Sequence, residues 1–209
     1  MTHISRPSPL NNVSYSEACK LLSDRAYVGL SADQSRKFDQ IIVKTTDSPY
    51  SHAMLIGHAT SSGDLLLTES TWPCSDVFRL SDRLREADLY FQPQSGLIDV
   101  FRVKGQVNLP SAWDWSLLCA GIPYSIADNL YIWLDRFKGH QPRRVPENSD
   151  DPKGCKRDCS CQVHAALRVA GLRPVWPSDL PYDCMVAPCD LCEAANPDWF
   201  EYVCTPTWP

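Results

Sequence analysis

A cysteine at the predicted start of a helix is the first group in this sequence that could do chemistry. Cys159 follows Asp158, a residue type that caps helices, and apolar residues recur at helical spacing from there to Gly171, which fits the position just beyond a helix end. The unpaired amides and the dipole at a helix start favour the thiolate, which is the nucleophilic form of cysteine. The sequence therefore predicts a reactive thiol at Cys159. Cys161 is the alternative nucleophile on the same predicted helix.

A nucleophilic thiolate also needs a base that a third group holds in place. His52 precedes a short apolar segment, and residues 51–57 are predicted to form a buried strand. A Ser-Ser-Gly-Asp turn then leads into residues 65–70, so a hairpin is expected, and it could place Glu69 beside His52. Each of these side chains, taken alone, is more often structural. Together with Cys159, His52 as base and Glu69 as the orienting carboxylate fill the three roles of a triad.

The elements that must position these residues predict an α+β fold. The turn-connected strands of the first half predict a mainly antiparallel sheet. Residues 138–157 are charged and rich in Pro, Gly and Asn, which predicts a long loop insertion. Residues 175–209 are predicted to form a proline-rich, irregular tail. The predicted helices are 15–23, 32–46 with Ser31 as a possible cap, 111–120, 127–137 and 159–170, and the predicted strands are 25–30, 51–57, 65–70, 77–80 and 97–103.

Five short segments resemble, in the same order along the chain, the circularly permuted papain-like amidases. That superfamily contains the NlpC-type cell-wall peptidases, and its permuted branch includes the lecithin:retinol acyltransferase-like enzymes. In permuted members the strand with the histidine precedes the helix with the cysteine, as it does here. The resemblance covers about residues 25–180 and implies a permuted papain-like fold, with an antiparallel sheet packed against the cysteine helix. The segments are SHAMLIG at 51–57, TES at 68–70, IDVFRV at 98–103, GIPY at 121–124 and the Cys159 helix.

The resemblance implies a cysteine hydrolase that needs no cofactor and forms an acyl-enzyme. Cys159 would be the nucleophile, His52 the general base and Glu69 the third polar group, with a peptide or a cell-wall stem peptide as substrate. A lipid acyltransferase or thioesterase with the same triad is the first alternative. The sequence departs from the family at Cys161, where an acidic or small residue is usual, and at the insertion that carries Cys155.

The cysteines near the end of the chain support a second alternative, a non-catalytic zinc-binding module. Seven of the ten cysteines lie after residue 154. Cys189 and Cys192 have the two-residue gap that is common in zinc knuckles. Free thiols and disulfides are the other fates that the sequence leaves open. The residues that could complete a zinc site are Cys184, Cys155, Cys204 and His164.

Composition argues against several other classes of protein. Twenty basic residues stand against 25 acidic ones, and no basic run is longer than the pair Arg143-Arg144, so binding to nucleic acid is not expected. No apolar run reaches the roughly 18 residues of a membrane-spanning helix. Residues 1–12 lack the features of a secretory signal, which predicts a cytoplasmic or phage-associated protein.

The length of 209 residues predicts one main domain. We expect a catalytic domain at 25–183, preceded by a segment at 1–24 with a short helix. Residues 184–209 would be a Cys- and Pro-rich tail packed on that domain. The sequence leaves the oligomeric state open.

Overall fold

The computed structural model describes residues 3–32, 37–90, 98–126, 150–154, 156–172 and 186–208. They form a mixed α/β fold with a seven-stranded, mostly antiparallel sheet and five α-helices. The strands are β1 (Asn12–Ser14), β2 (Tyr27–Ser31), β3 (His52–Ala59), β4 (Leu65–Ser70), β5 (Ser75–Arg79), β6 (Ile98–Val103) and β7 (Phe200–Thr207). The helices are α1 (Tyr15–Leu21), α2 (Lys37–Thr46), α3 (Leu80–Tyr90), α4 (Leu109–Leu118), α5 (Cys159–Val169) and a 3-10 helix (Pro188–Leu191).

The strand order is β1-β7-β6-β2-β3-β4-β5, which places the predicted hairpin in the second half of the sheet. β3 and β4 are antiparallel neighbours, with Leu55 opposite Thr68 and Ile56 opposite Leu67. Every pairing between the seven strands is antiparallel except that of β1 with β7. The expectation of a mainly antiparallel sheet is therefore confirmed.

Both ends of the chain contribute strands to this sheet. β7 lies between β1 and β6, so the prediction of an irregular tail is wrong for residues 200–207. The segment Phe-Glu-Tyr-Val-Cys-Thr consists mainly of residues that favour strands. The neighbouring prolines, which are uncommon inside strands, led to the prediction of irregular structure. The strand forms because β1 and β6 both offer it backbone partners.

One helix was not predicted at all. The predicted strand at 77–80 ends at Arg79, and α3 begins at Leu80 without an intervening turn. Leu80 and Leu84 are one helical turn apart and both are buried. Ser31 is the last residue of β2, and α2 begins at Lys37. The predicted helix at 127–137 and most of the predicted loop at 138–157 lie outside the described residues.

The sheet separates two hydrophobic cores, because successive residues of a strand point to opposite faces. Ala53 and Leu55 of β3 belong to one core, which also contains residues of α4 and α5. Met54 and Ile56 belong to the other core, together with residues of α1 and α3. Helix α5 therefore packs on one face of the sheet and α3 on the other.

Helix α5 is buried on all sides over most of its length, whereas the sequence predicted a single apolar stripe. All nine residues from Cys159 to Leu167 are buried. The side of the helix that carries Cys161 is covered by the segment after residue 185, where Cys161 clusters with Ala187 and Cys189. Ser160 Oγ donates a hydrogen bond to a carbonyl of the same segment, that of Val186, over 2.7 Å. The helix is thus held between the sheet and the C-terminal segment.

A close contact between Gly57 of β3 and Trp113 of α4 leads to a prediction about stability. A Cβ added to Gly57 would lie 2.7 Å from the Trp113 ring. We expect Gly57→Ala to lower the free energy of unfolding by about 1–3 kcal/mol, measured by urea denaturation, because a packed core resists added volume. The same change in a Trp113→Leu protein should cost much less. Equal costs in the two backgrounds would contradict this explanation.

Candidate active site

The β3–β4 hairpin brings His52 and Glu69 together, as the sequence predicted. The register of Leu55 with Thr68 places Met54 opposite Glu69, and His52 is the first residue of β3, two positions before Met54. His52 Nε2 lies 2.8 Å from Glu69 Oε2. The Glu69 side chain is only 3% exposed, so this hydrogen bond is largely shielded from water.

The helix ends that position Cys159 also match the prediction. Asp158 precedes α5 in an extended conformation, and its side chain accepts a hydrogen bond from the Cys161 amide over 2.8 Å. Gly171 adopts a φ of +96°, the left-handed conformation that follows many helix ends. Cys159 is therefore the first residue of α5, where the helix dipole favours a thiolate.

His52 interacts with the sulfur of Cys159 as well as with Glu69. Burial by itself lowers the pKa of His52, but the charge of Cys159 and a hydrogen bond to its side chain raise the pKa above its ordinary value. The structure thus brings Cys159, His52 and Glu69 together. It places the alternative nucleophile, Cys161, in the small core with Cys189.

The first backbone amides of α5 belong to Cys159 itself and to Ser160. Asp158 occupies the next two amides along the helix: its carboxylate accepts from Cys161, and its carbonyl accepts from Gln162. Within the described part of the chain, no such acceptor is found for the amides of Cys159 and Ser160. Backbone N–H groups beside a nucleophile are the usual donors to an oxyanion.

The carboxylate of Asp158 is fully buried beside the nucleophile. Its Oδ2 atom has no hydrogen-bond partner among the described residues. Burial raises the pKa of Asp158 to about 6, although hydrogen bonds from Cys161 and Ser160 and the charge of His52 act in the opposite direction. This carboxylate therefore changes its charge in the mildly acidic range.

A chain of buried polar side chains fastens α5 to the sheet and to α4. Ser75 Oγ of β5 donates to Gln162 Oε1 over 2.6 Å, and Gln162 Nε2 donates to Ser116 Oγ of α4 over 3.3 Å. Ser116 in turn shares a hydrogen bond with Thr68 of β4. No pattern in the sequence indicates this network, since isolated Ser, Thr and Gln residues have no periodicity.

Arg83 is another residue at the site that was not predicted from the sequence. The guanidinium of Arg83 forms an ion pair with Glu69 Oε1, the carboxylate oxygen that does not contact His52. Its planar group also stacks on the ring of Phe78, 3.9 Å from the ring centre. Recognising α3 from the spacing of its leucines would have placed Arg83 on a helix next to β4 and β5.

The structure does not test the predicted zinc site. Cys155 and Cys184 lie outside the described residues. Cys192 donates a hydrogen bond to the carbonyl of Cys189, and burial raises the pKa of the Cys192 thiol to about 11. In the ranges that are described, no three His, Cys, Asp or Glu side chains are grouped as a metal ion would require. A zinc ion bound through Cys189 and Cys192 remains a prediction from the sequence.

Comparisons with known proteins identify no relative. No protein-family model matches the chain, and a search of curated proteins finds no match either. None of the described helices combines the length and the apolar character needed to cross a membrane. The geometry of the candidate active site therefore carries the proposed function.

The raised pKa of Asp158 predicts how stability depends on pH. The folded-state pKa of about 6 lies above the ordinary 3.8, so the stabilisation by the protonated form is fully present below pH 3.8 and is lost as pH rises through about 6. Asp158→Asn retains an oxygen that can cap the helix but does not titrate. Between pH 4 and 7 the wild type should lose about 1–3 kcal/mol of unfolding free energy relative to this variant, measured by urea denaturation. Parallel pH curves for the two proteins would show that the carboxylate titrates normally.

Proposed function

We propose that this protein is a cysteine hydrolase that cleaves an amide bond. The observation that carries the proposal is the position of His52 between two partners. One ring nitrogen is bonded to the buried carboxylate of Glu69, and the ring also interacts with the thiol of Cys159 at the start of a helix. An oriented base beside a thiol at a helix start is the arrangement that generates a reactive thiolate.

A circularly permuted papain-like fold is part of the same proposal. The strand with His52 precedes the helix with Cys159 along the chain, and that helix packs on a mostly antiparallel sheet. Both features agree with the resemblance found in the sequence. The C-terminal strand β7 is incorporated in the same sheet, so it belongs to this catalytic unit.

In the first half of the reaction, the Cys159 thiolate attacks the carbonyl carbon of the amide and forms a C–S bond. The charge that develops on the carbonyl oxygen is stabilised by the amides of Cys159 and Ser160. When the C–N bond breaks, the His52 imidazolium gives its proton to the leaving amine. An acyl-enzyme on Cys159 and a neutral imidazole remain.

In the second half, His52 takes a proton from a water molecule that attacks the thioester carbonyl. The tetrahedral intermediate collapses, the C–S bond breaks, and the thiolate leaves with His52 protonated again. Glu69 holds the ring in one orientation throughout and stabilises its charged form. Peptides, including cell-wall stem peptides, are the substrates that we propose first.

Candidate substrates presented side by side would test this proposal. Purified protein would be incubated with peptide amides, cell-wall stem peptides, a lipid ester and an acyl thioester, with product release followed by mass spectrometry. We expect release from the amide substrates and no release by Cys159→Ala. Turnover of the lipid ester or thioester alone would favour an acyltransferase or thioesterase. Turnover that persists in Cys159→Ala would contradict the proposed nucleophile.

The two partners of Cys159 should differ in their importance. We expect His52→Ala to lower kcat/KM at least about 100-fold in protein that is still folded, because the ring transfers protons during the reaction. Glu69→Gln should lose less activity, since a neutral amide can still hold the ring. Steady-state kinetics on both variants measure the difference. His52→Ala activity within a few-fold of the wild type would exclude His52 as the base.

A further inference from the structure

The two oxygens of the Glu69 carboxylate contact two different side chains. Oε2 lies against the His52 ring, and Oε1 pairs with the Arg83 guanidinium from α3. Glu69 is 3% exposed and Arg83 is 24% exposed, so water screens their interaction only partly. Arg83 is itself held by its contact with the ring of Phe78. The carboxylate is therefore fixed from both sides.

The charges that act on His52 come from several elements. Glu69 directly bonds the ring, and it faces a second carboxylate, Asp76, across the β4–β5 pairing. All the anionic groups favour a proton on His52, and Arg83 is the cation that opposes them. The groups are Glu69 on β4, Asp39 on α2, Asp158 before α5, Cys159 on α5 and Arg83 on α3.

We infer that Arg83 is a positioning residue of this site, which holds the Glu69 carboxylate against His52 and takes up part of its negative charge. A buried carboxylate that paired with His52 alone would keep the ring protonated, because opposite charges at close range favour the ionised forms. A base must also release the proton that it has accepted. Because Arg83 pairs with one oxygen of Glu69, the other oxygen keeps the hydrogen bond that orients His52. The attraction between the carboxylate and the proton on His52 is weaker than it would be without Arg83.

The charge sharing is a property of the fold, but its importance for catalysis rests on the function proposed above. The test therefore measures the protonation of His52 directly. NMR titration of the His52 ring would be done on the full chain in a Cys159→Ala background, where the ring titrates without a coupled thiol. A His52→Ala variant assigns the signal among the five histidines.

In this background, Arg83→Gln should raise the pKa of His52 by about one unit, because removing a nearby cation favours the imidazolium. Arg83→Lys retains the charge and should shift the pKa less. Arg85→Gln is the matched control, since Arg85 is exposed on the same helix and stacks on Trp208 rather than on a residue of the site. An unchanged pKa in folded Arg83→Gln would overturn the inference.

Arg83→Gln leaves a buried carboxylate without its cation and can therefore fail to fold. A second pair of variants avoids this problem. Glu69→Gln and Glu69→Gln/Arg83→Gln contain no buried carboxylate at this position, and the double variant should have the higher His52 pKa. Equal pKa values in the two proteins would overturn the inference independently.

These outcomes are separate from those of the hydrolase proposal. A His52 pKa that responds to Arg83 in a protein that cleaves no amide would support the charge sharing and refute the function. Normal amide hydrolysis with a His52 pKa that is unchanged in Arg83→Gln would support the function and refute the charge sharing.

Discussion

The buried carboxylate of Glu69 is the constraint on which the arrangement of the site depends. Removing an ionised carboxylate from water costs several kcal/mol unless charged or hydrogen-bonding partners replace the water. Here the partners are His52, on the neighbouring strand β3, and Arg83, on α3, the helix that directly follows β5. Strand register and the position of α3 must both be correct for this carboxylate to be buried at all. The same contacts that satisfy Glu69 orient the ring of His52.

A second buried carboxylate, Asp99 of β6, shows a different solution to the same problem. Its oxygens accept hydrogen bonds from Arg6, Tyr50 and Thr205, and Arg6 uses two nitrogens. These donors come from the N-terminal segment, the chain before β3 and β7, so the network ties both ends of the chain to the sheet. The network contains none of the three proposed catalytic residues. Glu69 differs because one of its partners is an imidazole, which can exchange a proton near neutral pH.

The parts of the site that the sequence predicted are those with local signals. The ends of α5 follow from Asp158 and Gly171, and the approach of Glu69 to His52 follows from a hairpin with a short turn. The parts of the structure that were not predicted depend on contacts with segments that are distant along the chain. β7 forms because β1 and β6 supply its partners, and α5 is buried on all sides because the C-terminal segment covers Cys161. Arg83 reaches Glu69 through α3, a helix that was not predicted.

The central claim is that Cys159, and not Cys161, is the sulfur that His52 activates. Brief treatment with iodoacetamide at mildly acidic pH, followed by mass spectrometry of the tryptic peptides, tests it most directly, because only a thiolate reacts quickly under these conditions. We expect the adduct on Cys159 first, at a rate that falls in His52→Ala. Preferential labelling of Cys161, with activity retained in Cys159→Ala, would contradict the account.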